Sequence, residues 1–175
     1  DMYGDGKVGS SPEENMELMQ VILDDREMLQ RRINLAHQTA INKVGVDAKN
    51  SAAIGFCFGG LCVLDLARSG SEISGVVSFH GLFNAPENLK DYRITSKILA
   101  LHGNDDPMVP HQDVNGLANE LTKANADWQI HAYGNTSHAF TNPLASSPED
   151  GMAFNENSNN RSFTAMRNFL EEIFS

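Results

Sequence analysis

The run Gly55-Phe56-Cys57-Phe58-Gly59-Gly60 sets a cysteine between glycines where an apolar strand-like segment, Ser51 to Phe56, gives way to a helical one, Cys57 to Arg68. A nucleophile on so sharp a strand-to-helix turn is held in a strained backbone conformation. The residues two before and two after it must then lack a β-carbon for strand and helix to approach. Gly55 and Gly59 occupy those places. The Cys57 side chain is expected above the carboxyl end of the strand, where the helix N-terminus favours a thiolate and the Phe58 N–H faces a developing oxyanion. The same residues also fit a small buried hydrophobic cysteine with glycines that serve helix-strand packing.

A thiol nucleophile needs a base, and two loops further along supply the partners. Gly103-Asn104-Asp105-Asp106-Pro107-Met108-Val109-Pro110 follows one apolar run, and Ser137-His138-Ala139-Phe140 follows another. Asp105 reads as turn chemistry beside the proline, leaving Asp106 to orient a catalytic imidazole on His138. The alternative for His138 is an ordinary surface-loop histidine. His80, at the end of a further apolar run, and Phe140 are candidate pocket-lining residues.

These loops need strands to hold them. Runs of about six apolar residues at Ser51 to Phe56, Ser74 to Phe79, Lys97 to His102 and Asp127 to Tyr133 alternate with helical patterns at Cys57 to Arg68, Pro110 to Ala124 and Arg161 to Phe174. Such alternation predicts an α/β fold, a mainly parallel sheet flanked by helices, with all three candidate residues just beyond the carboxyl ends of strands. Upstream, Ser11-Pro12-Glu13-Glu14 is a capping box, and apolar spacing carries a helix or two consecutive helices from Pro12 to Lys43, with a break near Asp24-Asp25. Ala145 to Asn160, rich in Ser, Asn and Glu, reads as a surface loop. Residues 1–175 are read as a single domain.

Bulk properties exclude several roles. The formal net charge of −10 argues against nucleic acid as a partner. No apolar run approaches the roughly 20 residues of a membrane helix, and neither a signal peptide nor a membrane partner is expected. The two cysteines, Cys57 and Cys62, point to different helix faces, so free thiols and a cytoplasmic setting are expected, with Cys62 in the core. The histidines show no metal-ligand spacing, and neither a metal nor an organic cofactor is expected.

The motifs together resemble the dienelactone hydrolase family of the α/β-hydrolase superfamily. Its members carry a Gly-x-Cys-x-Gly-Gly elbow, a Gly-x-x-Asp-x-x-Val-Pro loop and a histidine before an aromatic, here Gly55 to Gly60, Gly103 to Pro110 and Ser137 to Phe140. The opening Asp1-Met2-Tyr3-Gly4 matches the family's segment after its fourth strand. The resemblance implies a Cys57, Asp106, His138 triad, in the chain order of this superfamily, that cleaves a carboxylic ester or lactone. The family's N-terminal strands, with the second oxyanion N–H and a glutamate that contacts the cysteine, are absent from these residues.

Two expectations follow from that absence. The Ser51 to Phe56 strand should present an unpaired edge open to self-association, and a non-catalytic or inactive binding protein on the same fold remains the alternative to a hydrolase. Where dienelactone-cleaving members use two arginines to hold a substrate carboxylate, this chain has Asp5 and Asn142. Losing two charge-assisted contacts, at roughly 1.5–3 kcal/mol each, favours a neutral ester or lactone as the small-molecule substrate.

Overall fold

In the computed structural model, residues 2–87 and 93–175 are described. The N-cap half of the expected capping box forms, Ser11 Oγ accepting from the Glu14 N–H at 3.3 Å to start α1 (Pro12–Leu23), while the Glu14 carboxylate accepts the Ser10 N–H at 2.8 Å rather than that of Ser11. The chain then breaks at Asp24-Asp25, and the Asp25 carboxylate caps the Met28 N–H at 2.8 Å to open α2 (Arg26–Val44), so the helical stretch is two helices. Both helices pack Ile22 and Leu29 onto Leu61 and Cys62 of α3 (Phe58–Arg68). Cys62 is therefore a core residue, and burial pushes its thiol up to about 12.

A parallel sheet in the order β1-β2-β3-β4 forms from β1 (Ala52–Phe56), β2 (Gly75–Phe79), β3 (Lys97–Gly103) and β4 (Trp128–Tyr133). Every residue of β2 is buried, as a strand covered on both faces requires. Its alternate side chains feed two cores. Val76 joins Leu64 and Leu66 of α3 and Leu117 and Leu121 of α4 (His111–Lys123), whereas Val77 and Phe79 join Phe169 of α5 (Glu156–Ile173). β1 is an edge strand, and Ile54 and Phe56 on it are 42% and 43% exposed. No helix among the described residues is long and apolar enough to cross a membrane.

Two expectations need correction. Ala145 to Asn160 is not a plain loop: it contains an antiparallel ribbon of β5 (Ser146–Ser147) and β6 (Met152–Ala153) and the first turn of α5. The signal was an N-cap hidden among polar residues, Asn155 Oδ1 accepting from the Ser158 N–H at 3.0 Å. The glycine requirement at the elbow also shifts by one residue. A β-carbon on Gly55 would stand 2.0 Å from the Gly59 carbonyl oxygen, and one on Gly60 would stand 2.6 Å from Ser78 Oγ and 2.7 Å from the Gly81 Cα. A β-carbon on Gly59 meets nothing within 4 Å. Gly59 contributes its carbonyl to the close approach, while Gly60 is the position pressed against β2.

Gly55→Ala is accordingly expected to destabilise the chain by about 3 kcal/mol or more, since backbone cannot yield as side chains do. Gly59→Ala is expected to be neutral or to stabilise by up to about 1 kcal/mol through helix propensity. Urea denaturation of the two variants checks the contrast, and equal losses would contradict it.

Candidate active site

At the β1–α3 junction Cys57 adopts φ 51° and ψ −120°, a conformation costly for a residue with a β-carbon. Its N–H donates to the Phe79 carbonyl at 3.0 Å, so the end of β2 holds the strained residue in place. α3 has no side-chain cap, and its first backbone N–H, on Phe58, lies against the Cys57 sulfur.

The acid comes from the loop after β3. Asp106 is 3% exposed, accepts the Met108 N–H on Oδ1 at 2.9 Å, and presents Oδ2 to His138 Nδ1 at 2.7 Å. Asp105 is exposed and accepts at 3.2 Å from Asn104 Nδ2, and the side-chain bond of the turn beside Pro107 is made by Asp106, to the Met108 N–H. The base comes from the loop after β4. His138 is 1% exposed, and its Nε2 stands 3.1 Å from Cys57 Sγ.

Two hydrogen bonds to the β5–β6 region hold the His138 backbone: its N–H donates to the Gly151 carbonyl at 2.9 Å, and its carbonyl accepts from the Ala153 N–H at 3.2 Å. The segment read from sequence as a surface loop is thus the seat of the imidazole. Its contribution was hidden because strands of two residues carry no periodicity.

The three side chains tune one another. Burial opposes a charged Cys57, but the hydrogen bond and charge of His138, with the Phe58 N–H, outweigh it and hold the thiol below its ordinary value. For His138, burial opposes the cation, and hydrogen bonds to Asp106 and Cys57 outweigh it, raising the imidazole to about 9. Both directions favour a thiolate–imidazolium pair.

His80, at the end of β2, has φ 37° and is 3% exposed; its ring lies 5.2 Å from that of His138 in an edge arrangement. Phe140 is fully buried in the core with Phe79 and Phe169 and meets His80 at 5.2 Å. As a correction to its reading as a pocket wall, it offers no surface to a ligand, because a phenyl ring is more favourably placed between sheet and helix than in solvent. Asn142 is exposed, with Oδ1 accepting the Leu144 N–H at 3.0 Å, and Asp5 is also exposed. Sequence alone did not single out Tyr3, which stacks on Phe58 at 6.0 Å. Among the described residues no group of three or more His, Cys, Asp or Glu is gathered to hold a metal.

A family model for the dienelactone hydrolase family matches residues 1–174. The chain belongs to that family. Among relatives, an uncharacterized protein of Caenorhabditis elegans is 34% identical over 132 residues, covering 74% of this chain and 84% of its own. The human carboxymethylenebutenolidase homolog is 27% identical over 117 residues, 66% of this chain, and the match spans 44% of that protein. Of solved structures, the dienelactone hydrolase-like promiscuous phosphotriesterase P91 from metagenomic libraries superposes with a TM-score of 0.91 at 37% identity, over 100% of this chain and 73% of its own. The fold is that of an α/β-hydrolase, and the family is one of hydrolases.

Because His138 lowers the Cys57 thiol, the thiolate should persist below the ordinary thiol range and disappear only as pH falls through the depressed value. In His138→Ala, alkylation of Cys57 by iodoacetamide near pH 6 should fall about tenfold for each pK unit regained. The parent and variant rates should converge above the ordinary thiol pKa. An unchanged pH profile would contradict the pairing.

Proposed function

We propose that the chain hydrolyses a neutral carboxylic ester or lactone through Cys57, His138 and Asp106. One observation carries this: a buried imidazole lies within hydrogen-bond distance of both a thiol and a carboxylate, at 3.1 and 2.7 Å. His138 Nε2 takes the Cys57 proton, and the thiolate attacks the carbonyl carbon. The Phe58 N–H donates to the oxyanion that forms. Collapse expels the alcohol oxygen, which takes the proton back from His138, and leaves an acyl thioester on Cys57. A water molecule, deprotonated by His138, then attacks the thioester, and the acid departs as the sulfur is released. Asp106 holds Nδ1–H throughout, which fixes the tautomer that presents Nε2 to the sulfur.

Neutral substrates are favoured because the positions of the family's two carboxylate-binding arginines carry Asp5, an acid, and Asn142, whose side chain is engaged in its own turn. The human relative is named for a carboxymethylenebutenolidase and P91 for a phosphotriesterase. A neutral aryl phosphotriester, attacked at phosphorus by the same thiolate, is the second reading, and the likeness to P91 favours it. A reducing, cytoplasmic setting belongs to the proposal, since Cys57 and Cys62 are both free thiols.

With p-nitrophenyl acetate the chain should show a burst followed by steady turnover. Cys57→Ala should lose activity by a factor on the order of a thousand. Undiminished turnover in that variant rejects the hydrolytic assignment, and faster turnover of a neutral aryl phosphotriester than of any ester favours the second reading.

A further inference from the structure

The end of β2 touches both halves of the candidate machinery. Phe79 accepts the Cys57 N–H at 3.0 Å, and the next residue, His80, donates its own N–H to the Leu101 carbonyl of β3 at 2.8 Å. The His80 side chain turns to the other half: Nε2 lies 2.8 Å from the hydroxyl of half-buried Thr141, three residues beyond His138. Its ring meets the edge of the His138 ring at 5.2 Å and that of Phe140 at the same distance. Nδ1 is buried and, among the described residues, has no hydrogen-bond partner outside its own residue. The turn that carries Thr141 is itself strained, with Ala139 at φ 55°. A strained, buried histidine whose ring makes a single side-chain hydrogen bond, to Thr141, is an expensive way to fill space that a phenyl ring would fill at lower cost.

We propose that His80, tied to Thr141, is a positioning residue that sets the plane of the His138 ring, keeping Nε2 on the Cys57 sulfur while Nδ1 stays on Asp106. The inference rests on the hydrolytic role proposed for Cys57 and His138. His80 does not share their proton. Burial and the charge of His138 push it down to about 4, and a hydrogen bond to its own backbone, with the charge of Asp106, opposes that only in part, so a neutral ring sits beside the imidazolium. On the other side of the pair, the titratable groups that bear on Cys57 are His138, Asp106 and Tyr3.

The test compares His80→Phe, Thr141→Val and Thr141→Ser with the parent, each checked for folding by thermal melting. Two readouts are taken: the pH midpoint of Cys57 alkylation by iodoacetamide, and kcat and KM for p-nitrophenyl acetate. His80→Phe and Thr141→Val should each raise the midpoint by about one unit and lower kcat about tenfold with KM changed less than about twofold. Thr141→Ser, which keeps the hydroxyl, should match the parent on both. If His80→Phe does not fold, Thr141→Val decides alone. Parent-like midpoint and kcat in Thr141→Val overturn the proposal, as does a loss in Thr141→Ser equal to that in Thr141→Val. Activity that survives Cys57→Ala overturns the hydrolytic assignment, and the alkylation midpoint, which needs no turnover, still shows whether His80 positions His138.

Discussion

Cys57 is held in a backbone conformation that no residue with a β-carbon adopts without cost. A left-handed φ at a non-glycine position costs on the order of 1–3 kcal/mol and persists only where the surroundings over-determine it. Here the surroundings do so from three sides. Gly55 lets the Gly59 carbonyl come within 2.0 Å of where a β-carbon would stand, Gly60 lets α3 press on Ser78 and Gly81, and Phe79 grips the Cys57 N–H. The buried all-apolar run of α3, from Leu61 to Leu64, then anchors the helix so that the turn cannot relax. Without that constraint the thiol would lie along the strand, out of reach of His138.

The elbow also decides the electrostatics. Three ionisable groups are gathered in a site where His138 is 1% and Asp106 3% exposed, and burying isolated charges there would be prohibitive. The cost is offset because each charge faces its complement at hydrogen-bond distance. Nearby histidines are kept out of this charge economy: burial and neighbouring histidine charges depress both His80 and His102. A separate buried network stiffens the frame. Arg68, 2% exposed, joins Asp65, Glu120 and the carbonyls of Phe83 and Asn84, and Arg26 closes onto Asp65 at 2.6 Å, so α2, α3, α4 and the loop after β2 are tied together.

Much of this was legible in the residues because elbow, acid loop and histidine loop each leave a local pattern. Glycines flank the cysteine, Asp106 stands beside a proline, and His138 follows a strand. Turn chemistry does not separate Asp106 from Asp105, since Asp106 itself accepts the Met108 N–H; what distinguishes it is burial opposite His138. What the sequence hid was every feature that depends on distant segments meeting. Gly60 rather than Gly59 bears the steric load because β2, fifteen residues on, presses there. Thr141 carried no signal, since a hydroxyl acquires meaning only once His80 arrives opposite it. The β5–β6 ribbon was invisible because its pairing, not its composition, makes it a strand pair.

In the proposed reaction the sulfur of Cys57 carries the acyl group between the two halves. Rapid acid quench during turnover of a slowly hydrolysed activated ester, followed by intact-protein and peptide mass spectrometry, tests it directly. One acyl increment per chain is expected, confined to the peptide that contains Cys57, labile to hydroxylamine at neutral pH and decaying at the steady-state rate. An acyl group on another residue, or turnover without any adduct when deacylation is made rate-limiting, would contradict it.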